Sequence, residues 1–167
     1  MLQEQLGAKT DMRLSDIFSG IMAFIFGLML LVTLINLAYK SWLRSRFWLR
    51  HRRKGKYILF VYSNSPNWKD YVETNIVPRI ESQAVILNWS ERKKWNEEHP
   101  LEKKVFMRWA GYKEFNPIAI VFPPVGKVKV IRFWQAFRHY KQGKEDQLKR
   151  AEEVLFKEVS EPAANAV

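Results

Sequence analysis

The chain contains no cysteine. It therefore has no disulfide, no thiolate nucleophile, no iron–sulfur cluster and no cysteine-ligated zinc. Histidine is scarce, at 3 of 167 residues, and no two histidines have the spacing of a metal site on a helix. The glycine motifs of nucleotide-binding loops, G-x-x-x-x-G-K-[ST] and G-x-G-x-x-G, are missing as well. We therefore expect no metal, no cofactor and a non-catalytic role.

Acidic residues are also few, with 17 Asp and Glu against 28 Lys and Arg and a net charge of +11. Most of this excess lies in residues 40–56, which form a polybasic juxtamembrane linker and contain no acidic residue. Such a segment determines membrane topology, and it also attracts anionic lipid head groups by about 1 kcal/mol per charge. The sequence shows no pattern of a nucleic-acid-binding fold, so nucleic acid is not expected as a partner. The basic residues expected to face lipid are Lys40, Arg44, Arg46, Arg50, Arg52, Arg53, Lys54 and Lys56.

The longest uncharged run is the 23 residues from Ile17 to Tyr39. As a helix it would measure about 35 Å, enough to cross a hydrocarbon core of about 30 Å. We predict a single transmembrane helix over residues 17–39. Because the basic flank follows it, the positive-inside rule places residues 1–16 outside as a short tail and the C-terminal part in the cytoplasm.

A stripe of small residues runs along this predicted helix. Ser19, Ala23 and Gly27 are spaced four residues apart, so they lie on one helix face. Small residues at this spacing let two membrane helices approach closely, which makes a homodimer through this helix one expectation. Chance spacing is the alternative, since small residues are common in membrane helices.

Residues 57–159 read as a cytoplasmic α/β domain, and residues 160–167 as a disordered tail. Apolar runs predict buried strands, and a later alternating run predicts a strand that pairs with its predecessor as a hairpin. Amphipathic stretches predict helices between them, the first beginning near Ser65-Pro66, so the order is β-α-β-α-β-β-α. The predicted strands are 57–62, 84–89, 118–122 and 128–133, and the predicted helices are 68–80, 101–112 and 134–159.

This element order resembles the thioredoxin-like fold over residues 57–159. In that family a proline precedes the antiparallel hairpin, is cis and borders the active site; Asn116-Pro117 occupies the matching place. Thioredoxins carry CxxC at the start of the first helix, but the corresponding loop, Ser63 to Asp70, has no cysteine. The resemblance therefore implies a member that cannot carry out thiol–disulfide exchange.

The main functional prediction is a membrane-tethered, non-catalytic binding or adaptor module for an unidentified protein partner. In the resembling fold, extended peptides bind at the edge that holds the first loop and the proline. One alternative is a glutathione-binding, transferase-like enzyme that uses a serine hydroxyl of this loop, although a serine there can simply cap the helix. A second alternative is an anionic-lipid-binding protein acting through residues 40–56. The predicted binding residues are Ser63, Asn64, Ser65, Asn67, Trp68, Asn116 and Pro117.

Aromatic residues cluster near the start of the last predicted helix, where Phe133, Trp134, Phe137 and Tyr140 alternate with basic residues. We expect most of them in the core and some on the surface. Exposed aromatic and arginine side chains are typical of binding hot spots.

Overall fold

The computed structural model describes residues 2–111 and 115–160, with the side chains of residues 2–13 left aside. The chain divides into two compact units, Met1–Ser41 and Trp42–Val167. The predicted disordered tail, 160–167, lies outside the described residues except for Ser160, which ends a helix.

The first unit consists of most of helix α1, Leu2–His51. Among the described residues, this is the one helix long and apolar enough to cross a membrane, and the apolar side chains of its spanning window are exposed. Its polar side chains bond to the preceding turn: the Oγ of Ser19 donates to the carbonyl of Asp16 at 2.9 Å, and the Nδ2 of Asn36 donates to Val32 at 2.8 Å. The prediction of an apolar helix of spanning length is confirmed.

The second unit is built on a four-stranded mixed sheet with strand order β2-β1-β3-β4 among the described residues. Strand β1 pairs in parallel with β2 and antiparallel with β3, and β3 pairs antiparallel with β4. The predicted strands are thereby confirmed to within one residue at each end. Their bounds are Ile58–Tyr62 for β1, Ala84–Asn88 for β2, Ile118–Val121 for β3 and Lys129–Arg132 for β4.

Helices connect and cover these strands. The first connection is α2, Lys69–Tyr71, followed by a π-helical turn, Val72–Ile76, and α3, Val77–Ile80. Pro78 in the first turn of α3 has no N–H to donate, so the regular α-helical hydrogen bonding is interrupted just before it. The remaining helices are α4, Trp95–Glu98; α5, Pro100–Ala110; α6, Trp134–Tyr140; and α7, Asp146–Ser160.

The first predicted helix, 68–80, is confirmed to within one residue at its start, since the chain is helical from Lys69 to Ile80. Before it, residues 66–68 form a turn in which the carbonyl of Ser65 accepts the backbone N–H groups of Trp68 and Lys69. The prediction of one final helix, 134–159, is wrong. The predicted final helix is two helices, α6 and α7, separated by a turn in which Gly143 has φ +76°. A positive φ is costly for other residues, so the glycine permits the break.

The sheet is covered on both faces, which explains its continuously apolar strands. Ile58 and Phe60 lie in one core with the helices of residues 69–80, α6 and α7. Leu59 and Val61 point into a second core with α5.

The end of α1 belongs to this second core. Leu43 and Phe47 are fully buried there, and His51 is 9% exposed. The three residues are spaced four apart and share one face of the helix, so the intervening basic residues lie on its other faces. Residues 42–51 were expected to be part of a linker; the structure shows a helix packed into the domain.

Candidate functional site

The sheet brings three separate segments to one end of the second unit. Tyr62 pairs with Asn88 of the parallel strand, and Val61 pairs with Ile118 of the antiparallel strand. The loops that follow β1 and β2 and the loop that precedes β3 therefore leave the sheet at the same end. We call this end, formed by Ser63–Trp68, Asn88–Ser90 and Phe115–Pro117, the polar edge.

A hydrogen-bond network ties the first two of these segments together. The Nδ2 of Asn88 donates to the Oδ1 of Asn64 at 2.6 Å, and the backbone N–H of Asn64 donates to the Oγ of Ser90 at 3.0 Å. Asn88 also accepts the backbone N–H of Ser90 at 2.9 Å. Asn88 and Ser90 were not among the predicted site residues, since only the strand register places them beside Asn64.

The loop after β1 is held by its own side chains. The indole N–H of Trp68 donates to the Oγ of Ser63 at 3.3 Å, and the backbone N–H of Asn67 donates to the Oγ of Ser65 at 3.4 Å. The Nζ of Lys141 donates to the Oδ1 of Asn67. Both serine oxygens act as acceptors within the loop, while the amide side chains of Asn64 and Asn67 are exposed.

The predicted residues Asn116 and Pro117 lie at the same edge. Their peptide bond is cis. The carbonyl of Pro117 accepts the backbone N–H of Phe133 at 2.9 Å, which fixes the entry into β3 against the end of β4. Asn116 is 8% exposed, and its Oδ1 is buried without a hydrogen-bond partner. It is one of four buried side-chain polar atoms of the described residues without a hydrogen-bond partner, and its burial keeps it from direct contact with another chain.

An aromatic stack borders the proline. The rings of Phe115 and Trp134 are nearly parallel, with centroids 4.4 Å apart, and the guanidinium of Arg138 lies 4.9 Å from the Trp134 ring. Phe115 is 37% exposed. Of the aromatic cluster in the sequence, Phe133 and Phe137 are buried in the core. Phe115 was not among the predicted site residues, although its position next to Asn116-Pro117 could have indicated that it lies at the site.

Tyr62 is a neutral donor beside this edge. Its hydroxyl donates to the Oε1 of Glu73 at 2.9 Å. Burial, the hydrogen bond to Glu73 and the charge of that carboxylate raise the pKa of Tyr62 to about 12. A phenol with this pKa stays protonated at neutral pH, which suits positioning better than proton transfer. Over the described residues, no cluster of three or more His, Asp or Glu side chains is arranged to hold a metal ion.

The basic residues of the predicted lipid-facing group are placed differently from one another. The guanidinium of Arg46 lies 5.5 Å from the Trp42 ring, and that of Arg52 lies 4.4 Å from the Trp48 ring. Arg53 and Lys54 are exposed, and Lys56 is half-buried. Lys40 belongs to the first unit, as do the small residues Ser19, Ala23 and Gly27, which are exposed along α1.

Comparison of the chain with protein-family models, curated proteins and solved structures finds no match.

Proposed function

We propose that this chain is a membrane-anchored, non-catalytic binding module whose cytoplasmic domain binds an extended segment of a partner protein at the polar edge. We further propose that the domain is a thioredoxin-like fold without redox cysteines. The anchor is the apolar part of α1.

The exposure of the apolar residues of α1 and the basic residues that follow them support the proposal that α1 is a membrane anchor. The apolar residues of α1 are exposed on all sides, and a helix of that kind needs lipid around it to be stable. The basic residues after it, from Lys40 onward, favour the cytoplasmic side for the domain.

Sheet topology supports the fold assignment. The order β2-β1-β3-β4, with β1 and β2 parallel and a final antiparallel hairpin, agrees with the element order on which the resemblance depends. The cis bond before β3 is the feature that the resemblance implies for Pro117.

One observation carries the binding proposal: the polar edge places exposed amide side chains and an exposed aromatic ring at the same end of the sheet. The Oδ1 atoms of Asn64 and Asn67 accept from Asn88 and Lys141, so each exposed side chain presents its NH2 group as a donor to a peptide carbonyl. Phe115, 37% exposed, supplies apolar contact at the same edge. Extended segments are recognised by this combination of main-chain hydrogen bonds and side-chain contacts.

Affinity capture of the full-length protein from mild detergent, followed by mass spectrometry, tests this proposal. The edge variant carries Asn67→Ala and Phe115→Ala. The matched control carries Glu81→Ala and Ser82→Ala, two exposed positions just before β2, at the other end of the sheet.

We expect a protein that co-purifies with the wild type and the control and is at least about tenfold depleted with the edge variant, since two hot-spot contacts are worth 1 kcal/mol or more each. A partner retained equally by both variants would contradict binding at the polar edge.

A further inference from the structure

A second surface of the domain lies away from the polar edge, where the end of α1 meets the β3–β4 turn. We define the basic face as residues 42–53 together with the turn residues 123–127. A groove of about 320 Å³ lies between these two segments. A second hollow of about 520 Å³ adjoins it, and Leu49 borders both. The groove is lined by Arg44, Ser45, Trp48, Leu49, Pro123 and Pro124, and the hollow by Leu49, Arg50, Arg52 and Arg53.

Arg44 is held in place beside the groove. Its Nη2 donates to the carbonyl of Pro123 at 3.1 Å, so the guanidinium is fixed between α1 and the turn. A guanidinium has five N–H donors in a planar fork that matches phosphate oxygens. The hydrogen bond to Pro123 uses one of these donors and orients the fork.

The apolar part of the basic face is unusually exposed. Val125, at the tip of the turn, is 87% exposed, the highest value among the large hydrophobic residues that the structure describes in the second unit. Leu49 is 59% exposed, and Trp42 is exposed as well. Apolar and tryptophan side chains mixed with arginines are typical of surfaces that lie at the membrane interface.

We propose that the basic face docks on anionic phospholipid head groups of the bilayer that holds α1. A lipid phosphate occupies the groove beside Arg44, Val125 inserts among the head groups, and the arginines around Leu49 contact neighbouring lipids.

Charge and chain order favour lipid as the occupant. Residues 40–56 carry eight basic residues and no acidic one, and they follow directly after the apolar run that ends at Tyr39. Residues that follow a membrane span directly in the chain lie near the lipid head groups. The negative charge of anionic head groups complements the positive charge of these residues.

Docking by this face would leave the polar edge accessible. Val121, the last residue of β3, pairs with Ile58 at the start of β1. The polar edge follows Tyr62 at the other end of the same strand. A domain resting on its β3–β4 turn therefore presents the polar edge away from the membrane surface, towards a soluble partner.

The test uses the full-length protein in lipid nanodiscs. Because the chain has no cysteine, Val125→Cys gives a single site for the polarity-sensitive fluorophore NBD. Lys93→Cys is the control, since Lys93 is exposed in the turn after β2, beyond the polar edge. Protection of each label from the neutral quencher acrylamide is measured in phosphatidylcholine discs and in discs that also contain phosphatidylglycerol.

We expect the label at position 125 to be protected in the phosphatidylglycerol discs, with emission at shorter wavelength, and the label at position 93 to be quenched equally in both discs. Added salt should remove the protection at position 125. Arg44→Gln should lower the docked-to-undocked ratio about fivefold, the equivalent of one surface charge, whereas Arg92→Gln near the polar edge should leave it unchanged.

Equal quenching at positions 125 and 93 in the phosphatidylglycerol discs would overturn the proposal. Protection that is the same in phosphatidylcholine discs and is insensitive to salt and to Arg44→Gln would overturn recognition of anionic head groups. Protection that persists in detergent without lipid would mean that a second copy of the chain covers the face, and would overturn lipid docking.

Discussion

The Nε2 of His51 lies 2.5 Å from the Oε1 of Glu102, a residue 51 positions further along the chain. Both side chains are buried, with Glu102 only 1% exposed, and the ring of Phe47 packs on the imidazole with centroids 4.7 Å apart. The pair joins the end of α1 to the first turn of α5. It makes the segment that follows the apolar run part of the folded domain.

The pair of His51 and Glu102 predicts that the stability of the fold decreases at acidic pH. Burial alone would raise the pKa of Glu102. The hydrogen bond with His51, a hydrogen bond from the backbone N–H of Glu102 and the charges of Arg50 and His51 outweigh this effect and hold the pKa below its ordinary value of 4.5. A carboxyl group whose pKa is lowered by folding stabilises the fold above its unfolded pKa and loses that contribution as the pH falls. The loss should therefore begin near pH 4.5 and continue below it.

The variant Glu102→Gln lacks this titration. We expect the midpoint of thermal unfolding of the wild type to fall more steeply than that of Glu102→Gln between about pH 5 and pH 3. Glu153→Gln, at an exposed position of α7, serves as the control and should follow the wild type. Parallel curves for the wild type and Glu102→Gln would show that the carboxylate does not stabilise the fold.

Phe47 tests whether residues 42–51 are part of the domain. It is fully buried, and its ring lies 4.6 Å from that of Phe122 and 4.7 Å from that of His51. Phe47→Ala should lower the free energy of unfolding by about 3–5 kcal/mol, as for other core phenylalanines. Leu49→Ala, two residues along at an exposed position, should cost far less. Tryptophan fluorescence during denaturation of the full-length protein in detergent measures both, and similar losses would contradict the packing described.

Much of the fold could be predicted because the strands are short apolar runs bounded by turn residues. Ile58–Tyr62 and Ile118–Val121 were found in this way, as were the inward residues of α5, Val105, Phe106 and Trp109. The four-residue spacing of Leu43 and Phe47 was also present in the sequence. The surrounding positive charges favoured the interpretation of a lipid-facing linker, so the burial of Leu43 and Phe47 was not predicted.

The site was predictable only in part. Ser63–Trp68 and Asn116-Pro117 come to one edge, as expected from the element order. The contacts of Asn64 with Asn88 and Ser90 depend on strand register, and the pair of His51 and Glu102 depends on how two helices pack. Neither has a local sequence signal, because contacting residues far apart in the chain are brought together only by tertiary structure.

The absence of cysteine allows a clean test of topology. In intact cells, a membrane-impermeant maleimide should label the full-length variant Gln3→Cys and leave Lys93→Cys unlabelled until the cells are opened. The charges that flank the apolar run are the physical reason, with eight basic residues after it and a net −1 before it. Labelling of Lys93→Cys in intact cells would place the domain outside and exclude a cytoplasmic role.

Site-specific photo-cross-linking in living cells tests the binding of a partner at the polar edge most directly. A photoreactive phenylalanine derivative replaces Pro66 at the edge or Ser82 at the far end of the sheet, both exposed positions in the full-length protein. We predict a discrete cross-linked protein from position 66 that is absent from position 82 and is lost when Phe115→Ala is added. Identical products from both positions, or no protein adduct from position 66, would contradict the account.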